Sequence, residues 1–501
     1  MQTLSPKKKE KNTKVGIWIE TPGSSFTVGE GIVRVIGKVV PFWLSEGKEV
    51  CVVASKGCEL ALKNVIRDLG GDANLLKFRT VKEKTLFQRI IGRGKRTQEA
   101  RKANMISFFV DTAKIYYSLA KYVVFRYRGV RNYPRPEFGL VLKRSLKCGL
   151  YCLGIGPVFL QLYLYRRIEN SFLCAYDYKK KMLSKALRQN VDVWYVPRPD
   201  WHLAAELGPR KVWCFWDYIP LEAPLFFSVD SGLESLRRAV GRGGEVVTMS
   251  NYVKDNHCAK ALGIPLESIR VKQPPFHLGL TRIDRSLALQ NIHEYLKDSF
   301  LGGRYNDLSI RYLVDFPFGD VDFIFFPSQL REYKNFNNVV LAVENIIRRS
   351  RRPVKLITTG SFDSVGVQKV HKYIVDRGLV FDILSIPNIP SNVLYSFMTL
   401  AKVTICPSFC EGGFPLSFME SVSLETPTVV ARMPNIKEFC DWDILENREF
   451  TFDPSSIDDM SRAILFAMSE TDKVLNVQKK IISAKFNYTW QDYASFVLGQ
   501  A

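Results

Sequence analysis

The sequence is short of the residues that build metal centres. Its 501 residues include five scattered histidines and ten cysteines with no matching histidine cluster. The tightest cysteine pairs, Cys148/Cys152 and Cys406/Cys410, are each spaced C-x3-C. That argues against a zinc site or a disulfide framework and for buried thiols in a reducing compartment. The first residues lack the apolar core of a signal peptide and instead run into lysines. One apolar run approaches membrane length. Cys148–Tyr165 is apolar apart from Gln161 and with 18 residues reaches the lower edge of a span. Gly154, Gly156 and Pro157 lie inside it, which favours a buried or interfacial hairpin over a spanning helix.

Acidic residues are scarce as well, 50 against 71 Lys and Arg, for a net charge of +21. The imbalance is local. Residues 81–190 hold 24 basic and six acidic residues, so +18 of the +21 belongs to one module. The remainder is ordinary. A hydrophobic content of 46% and a charged content of 24% are those of a chain with two or three packed domains. They exclude a disordered protein.

Along the chain, Val15–Ile19 reads as a first strand, followed by a Gly/Ser/Pro-rich loop from Thr21 to Gly31. Ile32, Val33, Ile36, Val39 and Val40 have helical spacing, and Glu49–Ala54 reads as a second strand. Strand, glycine loop, helix and strand open a doubly wound α/β domain. The rhythm breaks near residue 81. Within the break, Met105–Arg128 has an apolar stripe from Ile106 to Tyr127 and predicts an amphipathic helix. Strands resume at Val193–Val196, Val212–Phe215 and Glu245–Ser250. Residues 274–320 read as an interdomain connection. A second series has strands at Phe323–Phe326, Val354–Thr359, Val380–Leu384, Val403–Cys406 and Thr428–Ala431, with helices between. Two such domains place a cleft between the carboxyl ends of two sheets.

Residues suited to sugar transfer from a nucleotide diphosphate cluster in the second series. A leaving diphosphate needs cations or N–H donors. A ribose diol and the sugar hydroxyls need acceptors, which carboxylates supply. Arg331 and Lys334 follow the strand Phe323–Phe326 at the expected cleft mouth. Alone they read equally as solvated loop charges. Val403–Cys406 is followed by Pro407-Ser408-Phe409-Cys410-Glu411-Gly412-Gly413-Phe414-Pro415-Leu416-Ser417-Phe418-Met419-Glu420. Gly412 and Gly413 allow close backbone approach, and the helix after them points its N-terminus at the ligand. Glu411 and Glu420 bracket that loop. Asp320-Val321-Asp322 has the D-x-D form of a metal motif, but it opens a strand after a glycine and reads as structural.

The run "PSFCEGGFPLSFMESVSLETPTVVARMPNIKEF" resembles the E-x7-E region of glycosyltransferase family four. "FFPSQLREYKN" is similar to that family's diphosphate-binding segment. "VVTMSNYVKDNHCAKALGIPLESIRV" resembles the last strand–helix unit of its N-terminal domain. "KVWCFWDYIPLEAPLFF" resembles the strand that usually ends in His-Asp, and "FTFDPSSIDDMSRAI" the segment after the donor helix. The resemblance covers roughly residues 190–500 and, more weakly, 14–55. It implies an α/β GT-B fold: two doubly wound Rossmann-like domains facing a cleft, with a basic, largely helical insert in the first. The expected boundaries are a basic tail at 1–13, an N-terminal acceptor domain at 14–300 with its insert at 81–190, a donor domain at 301–475, and a C-terminal helix in 476–501 returning to the first domain.

By position, the resemblance implies that Glu420 binds the ribose diol and Glu411 the donor sugar, while Arg331 and Lys334 hold the diphosphate. Gly412, Gly413, Phe414, Pro415 and Ser408 complete the donor contacts. Trp216, Asp217, Gly29, Glu30 and Gly31 are acceptor-side candidates, with a plain loop acid as the alternative for Glu30. Such enzymes retain anomeric configuration, need no metal or other cofactor, and take a UDP- or GDP-linked co-substrate. Two departures stand out. Eight residues, not seven, separate the glutamates, and Trp216 stands where the family has histidine. They keep a catalytically idle carbohydrate-binding or membrane-associated assembly protein as the alternative.

The expected reaction is therefore transfer of a hexose-like sugar to a glycan or lipid-linked acceptor in polysaccharide or glycan biosynthesis. The basic insert fits an anionic membrane surface best, an insert packed on its host with a solvated basic face next, and nucleic acid, for which no reader motif is visible, last. The expected location is therefore cytoplasmic, with the insert peripheral on the cytoplasmic membrane face.

Overall fold

The computed structural model describes residues 13–20, 31–68, 72–81, 179–208, 210–224, 230–277, 279–301, 308–350, 353–362 and 366–499. The expected amphipathic helix of Met105–Arg128 and the hairpin of Cys148–Tyr165 lie outside the described residues, as do Gly29 and Glu30. The chain forms two compact units. One comprises residues 1–54, 58–79 and 186–501, and the other 55–57 and 80–185. The first unit carries both sheets of the expected architecture.

The N-terminal sheet has seven strands in the order β3-β2-β1-β4-β5-β6-β7. They are Lys14–Trp18, Glu49–Ser55, Lys77–Val81, Val193–Val196, Lys211–Phe215, Glu245–Thr248 and Ile269–Val271, numbered β1 to β7. β1 pairs in parallel with β2 and with β4, opposing Val15 to Val50 and to Val193. The strands read as nearly unbroken apolar runs because both faces of a parallel sheet are covered. Val15, Ile17, Trp18, Val50, Val52 and Trp213 are fully buried.

The C-terminal sheet runs β10-β9-β8-β11-β12-β13. Its strands are Phe323–Phe326 (β8), Lys355–Thr358 (β9), Ile383–Ser385 (β10), Val403–Cys406 (β11), Thr428–Ala431 (β12) and Thr451–Phe452 (β13). In each sheet the strand order reverses beside a central strand, at β1/β4 and at β8/β11. A crevice opens outside the carboxyl ends at such points.

Residues 274–320 are not a plain connection. The helix Arg285–Leu301 packs Ile292 and Leu296 into the core of the second sheet, against the helix Ser391–Leu400. Leu313, Phe316 and Phe318 join them there. Phe397 is the hub, with ring centroids 5.5 Å from Phe318 and 5.6 Å from Phe325. Offset and edge-to-face aromatic pairs add to area burial here. A helix that the sequence assigns to the first domain thus belongs with the second sheet.

The chain crosses back near its end. The helix Thr471–Lys485 lies with the second sheet, and Trp490–Val497 packs on the first helix, Gly31–Ser45. Trp43 Nε1 donates to Ala494 O at 3.0 Å. The last carbonyls of this terminal helix accept from Arg210 (Leu498 O, 3.0 Å) and Arg270 (Val497 O, 3.1 Å). Cations at a helix C-terminus satisfy orphan carbonyls and complement the dipole. Thr489 and Asp492 form a capping box at the other end.

Candidate active site

β8 ends at Phe326, and the chain turns through Arg331 into a single 3-10 turn, Glu332–Lys334. Asn335 takes a left-handed conformation, φ 61°, which asparagine tolerates. Its amide donates to Pro407 O (3.1 Å) and Pro454 O (2.8 Å). That pins the β8 turn to the loop after β11. Lys334 consequently reaches Glu411, and the two form an ion pair. Ser408 Oγ donates to the same carboxylate oxygen at 2.6 Å. Burial pulls the Lys334 ammonium down, yet Glu411, Tyr333 and Asp217 outweigh it and hold the pKa above the ordinary lysine range. Arg331 remains exposed, with one guanidinium nitrogen 3.3 Å from the Tyr333 hydroxyl.

The first sheet meets this group through the turn after β5. Burial first, and Glu411 second, push the Asp217 carboxyl above its ordinary range, while His257 and Lys334 oppose. Trp216 does not stand free, because its indole N–H donates to Pro197 O at 2.8 Å. A network that the sequence did not announce fixes the turn. The Tyr218 N–H donates to His257 Nδ1 at 3.0 Å, which leaves the ring proton on Nε2, 2.7 Å from Glu222. The Tyr252 hydroxyl lies 2.8 Å from both Glu222 oxygens. His257 is thus a buried positioning residue on the helix Val253–Ala261.

The Gly-Gly loop has a use besides the one its composition suggests. A Cβ on Gly412 would sit 2.0 Å from the Trp216 backbone oxygen and 2.8 Å from the Asp217 Cβ. A Cβ on Gly413 would sit 2.3 Å from Gln273 Oε1. The glycines let the loop touch the other sheet's strand ends. Ser250 Oγ donates to Gly412 O (2.7 Å) and Asn435 to Gly413 O (2.9 Å). Gln273 pairs like a strand with Phe414, accepting from its N–H (3.2 Å) and donating to its carbonyl (3.1 Å). The N–H and the carbonyl of Phe414 are thus both paired with Gln273. Its ring is buried against Phe418, centroids 4.6 Å apart. Among the described residues, the N–H groups of Gly412 and Gly413 have no acceptor.

Pro415 caps the helix Leu416–Ser423 with φ −60° and ψ 129°, so the helix N-terminus opens on this loop. Glu420 lies one turn in and is 3% exposed. Its Oε1 accepts from Arg34, on the first helix, and from the Tyr395 hydroxyl at 3.2 Å. Arg34, Tyr395, Gln273 and His257 are the site neighbours that sequence reasoning missed. Glu438 adds a further link between the sheets: its carboxylate accepts from the N–H of Asn251 (2.9 Å) and of Tyr252 (2.5 Å), at the start of the π-wound helix Val253–Ala261.

The structure thus groups Lys334, Glu411, Ser408 and Asp217, with Gly412 against Trp216, and sets Glu420 apart with Arg34 and Tyr395. Gly31 opens the first helix. No helix of the described residues is long and apolar enough to cross a membrane.

Residues 316–484 match the family described as Glycosyl transferases group 1. The whole fold is similar to that of Anabaena HepE solved in complex with UDP-glucose, at TM-score 0.57 and 12% identity, covering 97% of this chain and 100% of that one. It is similar to sucrose-phosphate synthase from Thermosynechococcus elongatus, at TM-score 0.56 and 10% identity, covering 97% and 98%. It also resembles the N-terminal domain of Candida albicans trehalose-6-phosphate phosphatase, at TM-score 0.55 and 12% identity, covering 99% and 98%. No curated protein matches it in sequence. The fold is GT-B, and the second sheet with its helices is the part matched by a glycosyltransferase family.

Proposed function

We propose that this glycosyltransferase moves a hexose-like sugar from a UDP-linked donor to a glycan or lipid-linked acceptor, with retention and without a metal, in the manner of family four. The observation that carries the reading is the meeting of Lys334 and Glu411. They come from loops 77 residues apart, at the carboxyl ends of the strands flanking the β8/β11 switch point.

In this reading Arg331 and Lys334 bind the diphosphate, helped by the Gly412 and Gly413 N–H groups and the helix N-terminus. Glu411 and Ser408 hold the sugar hydroxyls, and Glu420 the ribose. The bond from the anomeric carbon to the phosphate oxygen breaks as the acceptor oxygen attacks from the same face. The acceptor proton passes to the departing phosphate oxygen. Asp217 and Trp216 line the acceptor side. Trp216 has no group to exchange a proton, which fits a reaction whose base is the leaving phosphate. GDP as the carrier is the second nucleotide to test. The basic segment at 81–190 serves to hold the protein on anionic lipid beside its acceptor.

A thermal-shift panel of UDP, GDP, ADP and dTDP tests the reading on wild type, Glu420→Ala and Lys334→Ala. A ligand at about a hundred times its Kd stabilises by roughly 2.7 kcal/mol, several degrees of Tm. UDP is expected to shift wild type and neither variant. Absence of a shift with all four nucleotides would favour the idle GT-B protein.

A further inference from the structure

Glu420 is a buried carboxylate whose charge is matched from the other sheet. Arg34 stands on the first helix, 386 residues away in sequence, and its guanidinium donates both to Glu420 Oε1 and to the Tyr395 hydroxyl at 3.2 Å. Tyr395 donates to the same Oε1 at 3.2 Å, closing a triangle. The ring of Phe276 lies 4.9 Å under the guanidinium carbon and holds it in place. A carboxylate oxygen has two lone pairs, so Arg34 and Tyr395 fill Oε1. Among the described residues nothing reaches Oε2.

Arg34 is therefore placed to set Glu420's rotamer and to neutralise it, leaving one defined acceptor atom. Lys38 follows one helical turn later, and burial followed by Arg34's charge lowers its pKa. Lys38 does not share the load, since Arg34 is the cation within ion-pair distance of Glu420 among the described residues.

We infer that Arg34 is a positioning residue for the nucleotide's ribose: by occupying Oε1 it presents Glu420 Oε2 to a ribose hydroxyl, so that the donor's sugar-edge selectivity is built jointly by the two sheets. This rests on the reading of Glu420 as the ribose acceptor. Arg34 touches Glu420 and not the reacting atoms, so its loss acts on recognition. A buried hydroxyl-to-carboxylate bond discriminates strongly against the analogue that lacks the hydroxyl, because the acceptor is then stranded.

The test is titration calorimetry of the full chain with UDP and with 2′-deoxy- and 3′-deoxy-UDP. Wild type is expected to prefer UDP over at least one deoxy form by about ten-fold or more. Arg34→Gln should weaken UDP by about ten-fold and bring that ratio within about three-fold of unity, because the freed carboxylate is no longer oriented. Arg34→Lys keeps the charge and should restore part of the ratio. Tyr395→Phe removes one arm of the triangle without stranding a charge, and should lower the ratio less. It decides the matter if Arg34→Gln does not fold. An unchanged ratio in Arg34→Gln and Tyr395→Phe would overturn the inference. Tighter UDP binding by Arg34→Gln would overturn it too, since Arg34 would then be competing with the ribose. Glu420→Gln separates the two levels: if it keeps the wild-type ratio, the ribose is read elsewhere and the underlying reading fails.

Discussion

Gly412→Ala is the sharpest single perturbation of the cleft. The added methyl would lie 2.0 Å from the Trp216 carbonyl oxygen. Carbon–oxygen contacts settle near about 3.3 Å, so loop and strand end must part by about 1.3 Å. The obstacle is backbone, so no rotamer change removes it, and Trp216→Ala would not rescue the variant. Overpacking costs about 1–3 kcal/mol. The separation also strains the Ser250 bond to Gly412 O and the Gln273 pair with Phe414, at about 0.5–1.5 kcal/mol for each bond lost. With all three bonds lost the total is about 2.5–7.5 kcal/mol, which corresponds to roughly 70- to several-hundred-thousand-fold in rate. The clash lies between the sheets rather than within either, so opening the cleft relieves it. We therefore expect turnover of a UDP-sugar to collapse while Tm falls only a few degrees and the radius of gyration in solution scattering rises. Wild-type turnover with unchanged scattering would refute the argument that these glycines exist for close approach between sheets.

Two further outcomes follow from single residues. Asp217's raised pKa means that the native state holds more protons than the unfolded chain from the ordinary value of 3.8 up to the folded value, so stability falls as pH rises through that window. Asp217→Asn should flatten the Tm-against-pH curve there, and parallel curves for the two proteins would contradict this. Glu425 closes the helix Leu416–Ser423 in a left-handed conformation, φ 65°. Glu425→Gly relieves roughly 1 kcal/mol or more of backbone strain. It also loses a partly exposed pair with Lys479 at 2.5 Å, worth up to about 1 kcal/mol. A small net gain in urea denaturation is expected, and a loss above about 1 kcal/mol would show the ion pair dominating.

The strands that reach their apolar cores from both faces were legible because a fully buried parallel strand leaves little room for polar residues. Val193–Val196, Phe323–Phe326, Val403–Cys406 and Thr428–Ala431 appear in the structure with the limits read from sequence. The edges were not. β3, Lys77–Val81, is largely polar and alternates exposed and half-buried residues from Lys77 to Thr80 at the end of its sheet, and β13 is two residues long. The helix Arg285–Leu301 is legible as a helix within the interdomain connection, but its packing on the second sheet is not, since periodicity states which face is apolar and not what covers it. The site divides in the same way. Lys334, Glu411, Gly412 and Glu420 were singled out because they follow strand ends in short motifs. Arg34, Gln273, Tyr395 and His257 carry no motif. Their importance comes from juxtaposition over long sequence separations, such as the 141 residues between Gln273 and Phe414.

The two crossings between the sheets touch each other. Tyr488, in the return crossing, donates to the backbone oxygen of Gln273, in the outward one, at 2.5 Å, and Lys272 lies 4.5 Å over the Tyr488 ring. Held to each other here, the two crossings form one joined tether rather than two separate ones. Gln273 also grips Phe414 by its side chain. The glycine loop is therefore tied, through Gln273, to the outward and the return crossing at once.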